Sequence, residues 1–245
     1  MDNTQGLLAT SALQASIVAD LSARAFAATS PEIQELLLRS KNEQTFSGLL
    51  SHELHKYPTL QLGDPREPRS GTVLLEFKGK DYTNRSEEGD TKSRNFHDLS
   101  IVNNVGEIEV VIENKFWYHF DGSKGKRNPK PEKGIRSQLS DDIYKMRRTL
   151  SERTGARRGF ILINVVTPSF PQALPKSYLY QHEVLWNRTS GEHALYRQTG
   201  LDGILNIMKE FASDFVNPNP EIVEVKSGDG FVDFICAEIK IEKGA

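Results

Sequence analysis

The chain has 245 residues, 37% hydrophobic and 26% charged, with a formal net charge of -2, the composition of a soluble globular protein with enough apolar material for a sizeable core in one large domain or two small ones. Its single cysteine, Cys236, excludes an internal disulfide framework and a cysteine-based zinc cluster. The start, Met1-Asp2-Asn3-Thr4, lacks the basic lead and apolar run of a secretory signal, and no window has the apolar length of a membrane span, so a cytoplasmic protein with no membrane partner is expected.

In chain order, residues 5–28 read as a helix on the stripe Leu13, Ile17, Leu21 and Ala25. Ser30-Pro31-Glu32 opens a second helix carrying Ile33, Leu36, Leu37 and Leu38, since a capping hydroxyl, a first-turn proline and an acid suit a helix start. A third helix, Glu43 to Tyr57, carries Phe46, Leu49, Leu50 and Leu54 and is stopped by Pro58. Residues 1–41 are thus a helical N-terminal segment, placed either on a following sheet or in an oligomer contact.

After a loop over 59–70, strands are expected at Thr72–Phe77, Phe96–Val102 and Glu107–Trp117. The polar stretch 84–93 reads as a hairpin tip, and Asn103–Gly106 as a tight turn. Residues 121–134, rich in Gly, Lys and Pro, read as an exposed loop before a helix from Ser137 to Arg153 with Leu139, Ile143, Met146 and Leu150 inward. Gly159–Val166 is almost continuously apolar, the pattern of a central strand covered on both faces. A helix over 172–182, a short strand at Glu183–Trp186, a helix from Leu201 to Phe215 and two terminal strands, Ile222–Val225 and Phe231–Ile241, complete an α/β sandwich.

Chemistry concentrates in Glu107–Trp117. Ile108, Val110, Ile112 and Phe116 alternate with Glu107, Glu109, Glu113 and Lys115, which places Glu113 and Lys115 on one face, roughly 7 Å apart. Asp98 lies seven residues before the turn centre at Val105 and Glu113 eight after it, so an antiparallel hairpin sets the two carboxylates near-opposite, their Cβ atoms about 5 Å apart. Two carboxylates that share an ion, with an ammonium beside them, can activate water for phosphodiester hydrolysis.

Asp98, followed after fourteen residues by Glu113-Asn114-Lys115, resembles the metal site of the PD-(D/E)XK nuclease superfamily, with His97 in place of the proline. Ile112-Glu113-Asn114-Lys115, Gln138-Leu139 and Tyr144 are similar to a subgroup with an Ile-Glu-Asn-Lys, Gln-Leu and Tyr signature, and Asn42–Leu50 resembles its first-helix motif. The likeness spans roughly residues 42–166. It implies a restriction-endonuclease-like core, a mixed central sheet flanked by helices, over residues 42–245, the C-terminal strands having no assigned role. It also implies a Mg²⁺-dependent nuclease, Mn²⁺ substituting. In such a site Asp98 and Glu113 hold the ion with the backbone carbonyl of Asn114, Glu43 contributes through water, Lys115 orients or helps deprotonate the attacking water, and Gln138 helps position the site. Double-stranded DNA is the expected substrate, in restriction, repair or phage defence, and cutting both strands implies a homodimer.

Lys124 to Arg158 carries twelve Lys or Arg against four acids in a chain of net charge -2. Lys124, Lys126, Arg127, Arg136, Arg147 and Arg148 are the candidates for the DNA backbone, an interaction that weakens with salt. Blander readings stand beside these. Glu113–Lys115 could be a surface ion pair worth under ~1 kcal/mol. Asp98 could be a strand-start carboxylate, Glu43 a helix-start acid with Glu53 as its alternative, and Gln138 an exposed helix residue. Trp117, Tyr118 and Phe120 read as core or loop anchors rather than base-stacking groups. His52-Glu53-Leu54-His55 lacks the two-residue spacing that puts two histidines one turn apart, so it is no zinc motif. A catalytically silent nucleic-acid-binding protein, or a protein on the same fold whose nuclease activity a partner regulates, is the alternative function.

Overall fold

In a computed structural model of the chain, the described residues are 13–40, 42–56, 72–77, 97–102, 108–122, 131–151, 158–168, 176–189, 192–227 and 230–241. The expected loop over 59–70, the polar tip at 84–93, the turn at 103–106, and Lys124, Lys126 and Arg127 lie outside them.

Helices α1 (Ala15–Ala27), α2 (Pro31–Ser40) and α3 (Glu43–Lys56) precede strands β1 (Thr72–Phe77), β2 (His97–Val102) and β3 (Ile108–Tyr118). A 3₁₀ turn at His119–Gly122, helix α4 (Pro131–Ser151) and strand β4 (Arg158–Thr167) follow, then α5 (Lys176–Arg188) and α6 (His193–Glu210), and last β5 (Glu221–Ser227) and β6 (Gly230–Glu238). The six strands form one mixed sheet in the order β1-β2-β3-β4-β6-β5, parallel only between β3 and β4. The chain is an α/β protein. As its apolar run implies, β4 is central, between β3 and β6, and every residue from Gly159 to Thr167 is buried.

Each face of the sheet has its own core. On one, Leu99, Val110, Ile112, Phe116 and Phe234 meet α1 and α3 through Phe26, Phe46 and Leu50. On the other, Val111, Trp117, Ile161 and Ile163 meet α4 and α6 through Leu139, Met146, Ile204 and Met208. The alternation read from β3 is therefore real, but its second face is covered by helices, not solvent. Apolar burial of this extent on both faces is the main force fixing the layers. Of the N-terminal segment, α1 lies on the sheet, burying Val18, Leu21 and Phe26 against β5 and β6.

Several expected boundaries move. The first helix begins at Ala15, not residue 5, because Leu13 and Gln14 are extended or irregular, and 5–12 lie outside the described residues. Residues 131–134 extend α4 rather than a loop, which suits proline in a first helical turn. Glu183–Trp186 belongs to α5 and not to a strand; His182, Leu185 and Thr189 fall on one buried helical face, a three-and-four spacing that overrides the hint of the three apolar residues Val184–Trp186. The last long helix starts at His193 rather than Leu201, with a separate 3₁₀ turn at Ala212–Asp214.

One contact ties α6 to the end of β3. A Cβ on Gly200 would come within 2.5 Å of the His119 carbonyl oxygen, and one on Gly203 within 2.4 Å of the Gly122 carbonyl oxygen. Only glycine lets the helix backbone lie against the 3₁₀ turn at this distance.

Candidate active site

The β2–β3 ladder pairs Leu99 with Ile112, so its continuation sets Asp98 beside Glu113, as the hairpin arithmetic requires. Beyond that pair two β3 N–H groups of equal parity are taken by carboxylates rather than by a strand. Asn114 N–H donates to Asp98 Oδ2 at 2.7 Å and Phe116 N–H to Glu43 Oε1 at 3.1 Å. Glu43 is thus occupied on the β3 backbone from the first turn of α3, a helix started by Asn42, whose Oδ1 accepts the Thr45 N–H at 2.9 Å.

Asn114, fully buried, fastens three elements together. Its side-chain amide donates to the Glu43 carbonyl at 3.3 Å and to Ser47 Oγ at 3.1 Å, and its Oδ1 accepts from Asn164 on β4. Asn164 also donates to the Lys115 carbonyl at 2.9 Å. The side chain of Asn114 is therefore structural, leaving only its backbone for the ligand role the resemblance implies.

The side chains of Glu113 and Lys115 lie under α4. Glu113, 1% exposed, accepts on Oε1 from His97 Nδ1 at 2.6 Å and from Lys145 Nζ at 2.6 Å. Lys115 Nζ stands 4.0 Å from both Asp98 Oδ2 and Glu113 Oε2, and 3.4 Å from Asp142 Oδ2. Asp142 in turn lies 3.8 Å from Lys145 on the next turn of α4. Three carboxylates, two ammonium groups and an imidazole share one half-enclosed space.

Burial, then the neighbouring Glu113 charge, pushes the Asp98 carboxyl up to about 7 against the opposing Lys115 and Asn114 N–H. For Glu113 burial also pulls upward, but the His97 hydrogen bond and the Lys145 charge prevail and hold it below its ordinary value. Burial works against the charge on Lys115, yet Asp142, Asp98, Glu113 and Glu43 outweigh it and raise the lysine. Lys115 is then an ammonium at neutral pH, suited to orienting water and offsetting phosphate charge rather than to taking a proton.

Among the described residues no three His, Cys, Asp or Glu are disposed to cage a metal. Asp98 and Glu113 still offer the hard oxygen set that Mg²⁺ favours, since that ion binds through one or two carboxylates and keeps the rest of its shell for water and phosphate. A pair of close carboxylates beside a shared ammonium, with the Glu113 charge raising the proton affinity of Asp98, fits such an ion.

The remaining candidates scatter. Gln138 Oε1 accepts the Trp117 indole N–H at 3.3 Å, bracing β3 one step past Lys115. Tyr144 is 69% exposed on α4. Arg136 forks onto Glu210, and Arg147 is held by Asp214 at 2.8 Å and by the Lys240 carbonyl at 3.1 Å, so both already have partners. Arg148 sits on α4, its side chain outside the description. Tyr118 and Phe120 are buried and stacked on each other, anchors as expected.

Sequence reasoning missed Asp142, Lys145 and Asn164, and took His97 only as a substituted proline. For Asp142 and Asn164 the signals were present. Asp142 occupies an inward slot three residues after Leu139 and four before Met146, and Asn164 interrupts an apolar strand. A charge or amide in a core register is the informative kind of exception.

A second cluster of ionisable groups lies past the end of β3. His119, His182 and His193 surround Tyr196 and Trp186, with ring centroids 4.0 Å apart for His119 and Tyr196 and 5.1 Å for His182 and Tyr196. Burial lowers the basicity of all three histidines, that of His182 to about 4.

Comparison with protein-family models, with curated proteins and with solved structures found no match to this chain. No helix among the described residues is long and apolar enough to cross a membrane.

Proposed function

We propose that the protein is a divalent-metal-dependent nuclease of restriction-endonuclease-like fold, hydrolysing phosphodiester bonds of DNA in the cytoplasm. One observation carries the reading: Lys115 Nζ lies 4.0 Å from an oxygen of each of two carboxylates, Asp98 and Glu113, in a partly buried recess between β3 and α4. The order α3, β1, β2, β3, α4, β4 around that recess agrees with the resemblance in Asp98, Ile112–Lys115 and Gln138. Asp98 and Glu113 would hold Mg²⁺, which supplies a Lewis acid and a more acidic bound water. Lys115, kept cationic by its carboxylates, orients the attacking water and stabilises charge gathering on the phosphate. His97 fixes the Glu113 carboxylate, and the Asn114 amide, through Asn164 and Ser47, fixes the strand that carries both charges. A homodimer would place two such sites on a duplex.

A catalytically silent binding protein is the second reading, and one observation favours it: Glu113 Oε1 is taken by both His97 and Lys145. Cleavage of plasmid DNA in Mg²⁺ by wild type and Lys115→Ala separates the two. A nuclease loses about a hundredfold or more of its rate in the variant. Equal nicking by both proteins removes Lys115 from catalysis, and inert wild type across metals and salt favours the silent protein.

A further inference from the structure

We propose that Lys145 is a placeholder cation for the metal site, pairing with Glu113 until a divalent ion arrives and then retiring to Asp142. The proposal rests on the metal-site reading above and concerns how that site is kept before it is loaded.

Glu113 is almost wholly buried, and a lone carboxylate in such a place is costly. The 2.6 Å contact of Lys145 Nζ with Glu113 Oε1 meets that cost from α4, a different element from the hairpin that carries the carboxylates. Lys145 reaches it on a long flexible stem, and its side chain, 22% exposed, is not wholly enclosed.

The acceptor for the displaced ammonium is already in place. Asp142 Oδ1 is 3.8 Å from Lys145 Nζ on the preceding turn of the same helix, and helical neighbours three apart share a face. The other oxygen of Asp142, 3.4 Å from Lys115, is buried without a well-formed hydrogen bond among the described residues, so this carboxylate has accepting capacity to spare. When Lys145 moves onto Asp142, the hold of Asp142 on Lys115 weakens, and Lys115 is left to Asp98, Glu113 and the substrate phosphate. Loading the site and releasing Lys115 are then one event. His97 stays on Glu113 throughout and keeps the carboxylate oriented.

The test is Mn²⁺ affinity of the full-length protein, read by electron paramagnetic resonance without substrate. Wild type, Lys145→Met, Lys145→Gln, Glu113→Gln and Lys240→Met are compared, the last removing an equal charge from an exposed position. A cation competing for Glu113 predicts that either Lys145 variant binds Mn²⁺ at least about tenfold more tightly than wild type. Lys240→Met should match wild type. Should Lys145→Met fail to fold, Lys145→Gln, which keeps length and a donor, carries the comparison. Unchanged or weaker binding in the Lys145 variants, or equal tightening by Lys240→Met, overturns the placeholder while leaving the metal site standing. Mn²⁺ binding that Glu113→Gln does not weaken, or no binding by any of the five proteins, overturns the metal-site reading and this proposal with it.

Discussion

The space beneath α4 and the histidine cluster beyond β3 both bury ionisable side chains, but they handle charge in opposite ways. Under α4, Asp98, Glu113 and Asp142 are set against Lys115 and Lys145, so burial is tolerated through mutual compensation. Around Tyr196, His119, His182 and His193 are kept uncharged by burial among aromatic rings, and Nε2 of His119 and of His193 is buried without a hydrogen bond among the described residues. The second arrangement is a core that happens to contain imidazoles. The first holds separated charges whose balance an entering ion or phosphate would change, as the proposed nuclease chemistry would use. Burial alone does not mark a site; charge that needs partners does.

The sharpest way to break the contrast is Glu113→Ala. It removes the buried carboxylate that His97 and Lys145 share, and loss of one member of a buried pair costs about 3–5 kcal/mol. A chemical-denaturation midpoint close to wild type would mean that water already penetrates the network and that compensation is not what holds it. Next comes Asn164→Leu, which removes the side-chain donor to the buried Asn114 side-chain oxygen and to the Lys115 carbonyl at a cost of about 1–3 kcal/mol. It should also lower metal-dependent cleavage by loosening β3. Full activity in a destabilised variant would separate the strand's fastening from the site. The smallest effect concerns pH. The histidines have folded values below the ordinary 6.5, so the unfolded chain takes up protons that the native state refuses. Their contribution is fully present above about pH 6.5 and is lost as pH falls toward 4, the value reached by His182. Urea midpoints at pH 7, 5.5 and 4.5 should decline, and decline less in His182→Phe. A flat profile would show these imidazoles to be charged or solvated in the fold.

Much of this architecture was legible because period and burial coincide. The β3 alternation, the stripe of α4 and the apolar run of β4 each state which side faces a core, and Asp98, Glu113 and Lys115 fall together by hairpin counting alone. What could not be read was the partner across the layers. Lys145 is an ordinary basic residue in a basic block until α4 is laid over β3, and nothing local distinguishes it from Arg136 or Arg147, which turn to Glu210 and Asp214. The short strand expected at Glu183–Trp186 failed for a related reason. A run of four residues with three apolar members fits either period, and only the packing of α5 around His182 and Leu185 decides between them.

The backbone contact of Gly200 and Gly203 with the turn at His119–Gly122 has a mechanical corollary. Most neighbouring elements meet through side chains, whose rotamers act as springs and absorb small displacements. Here two main chains lie against each other with little side chain between them, a stiff joint between α6 and the far end of β3. A displacement of α6 would be passed to the strand that carries Glu113 and Lys115 with less give than a side-chain contact allows.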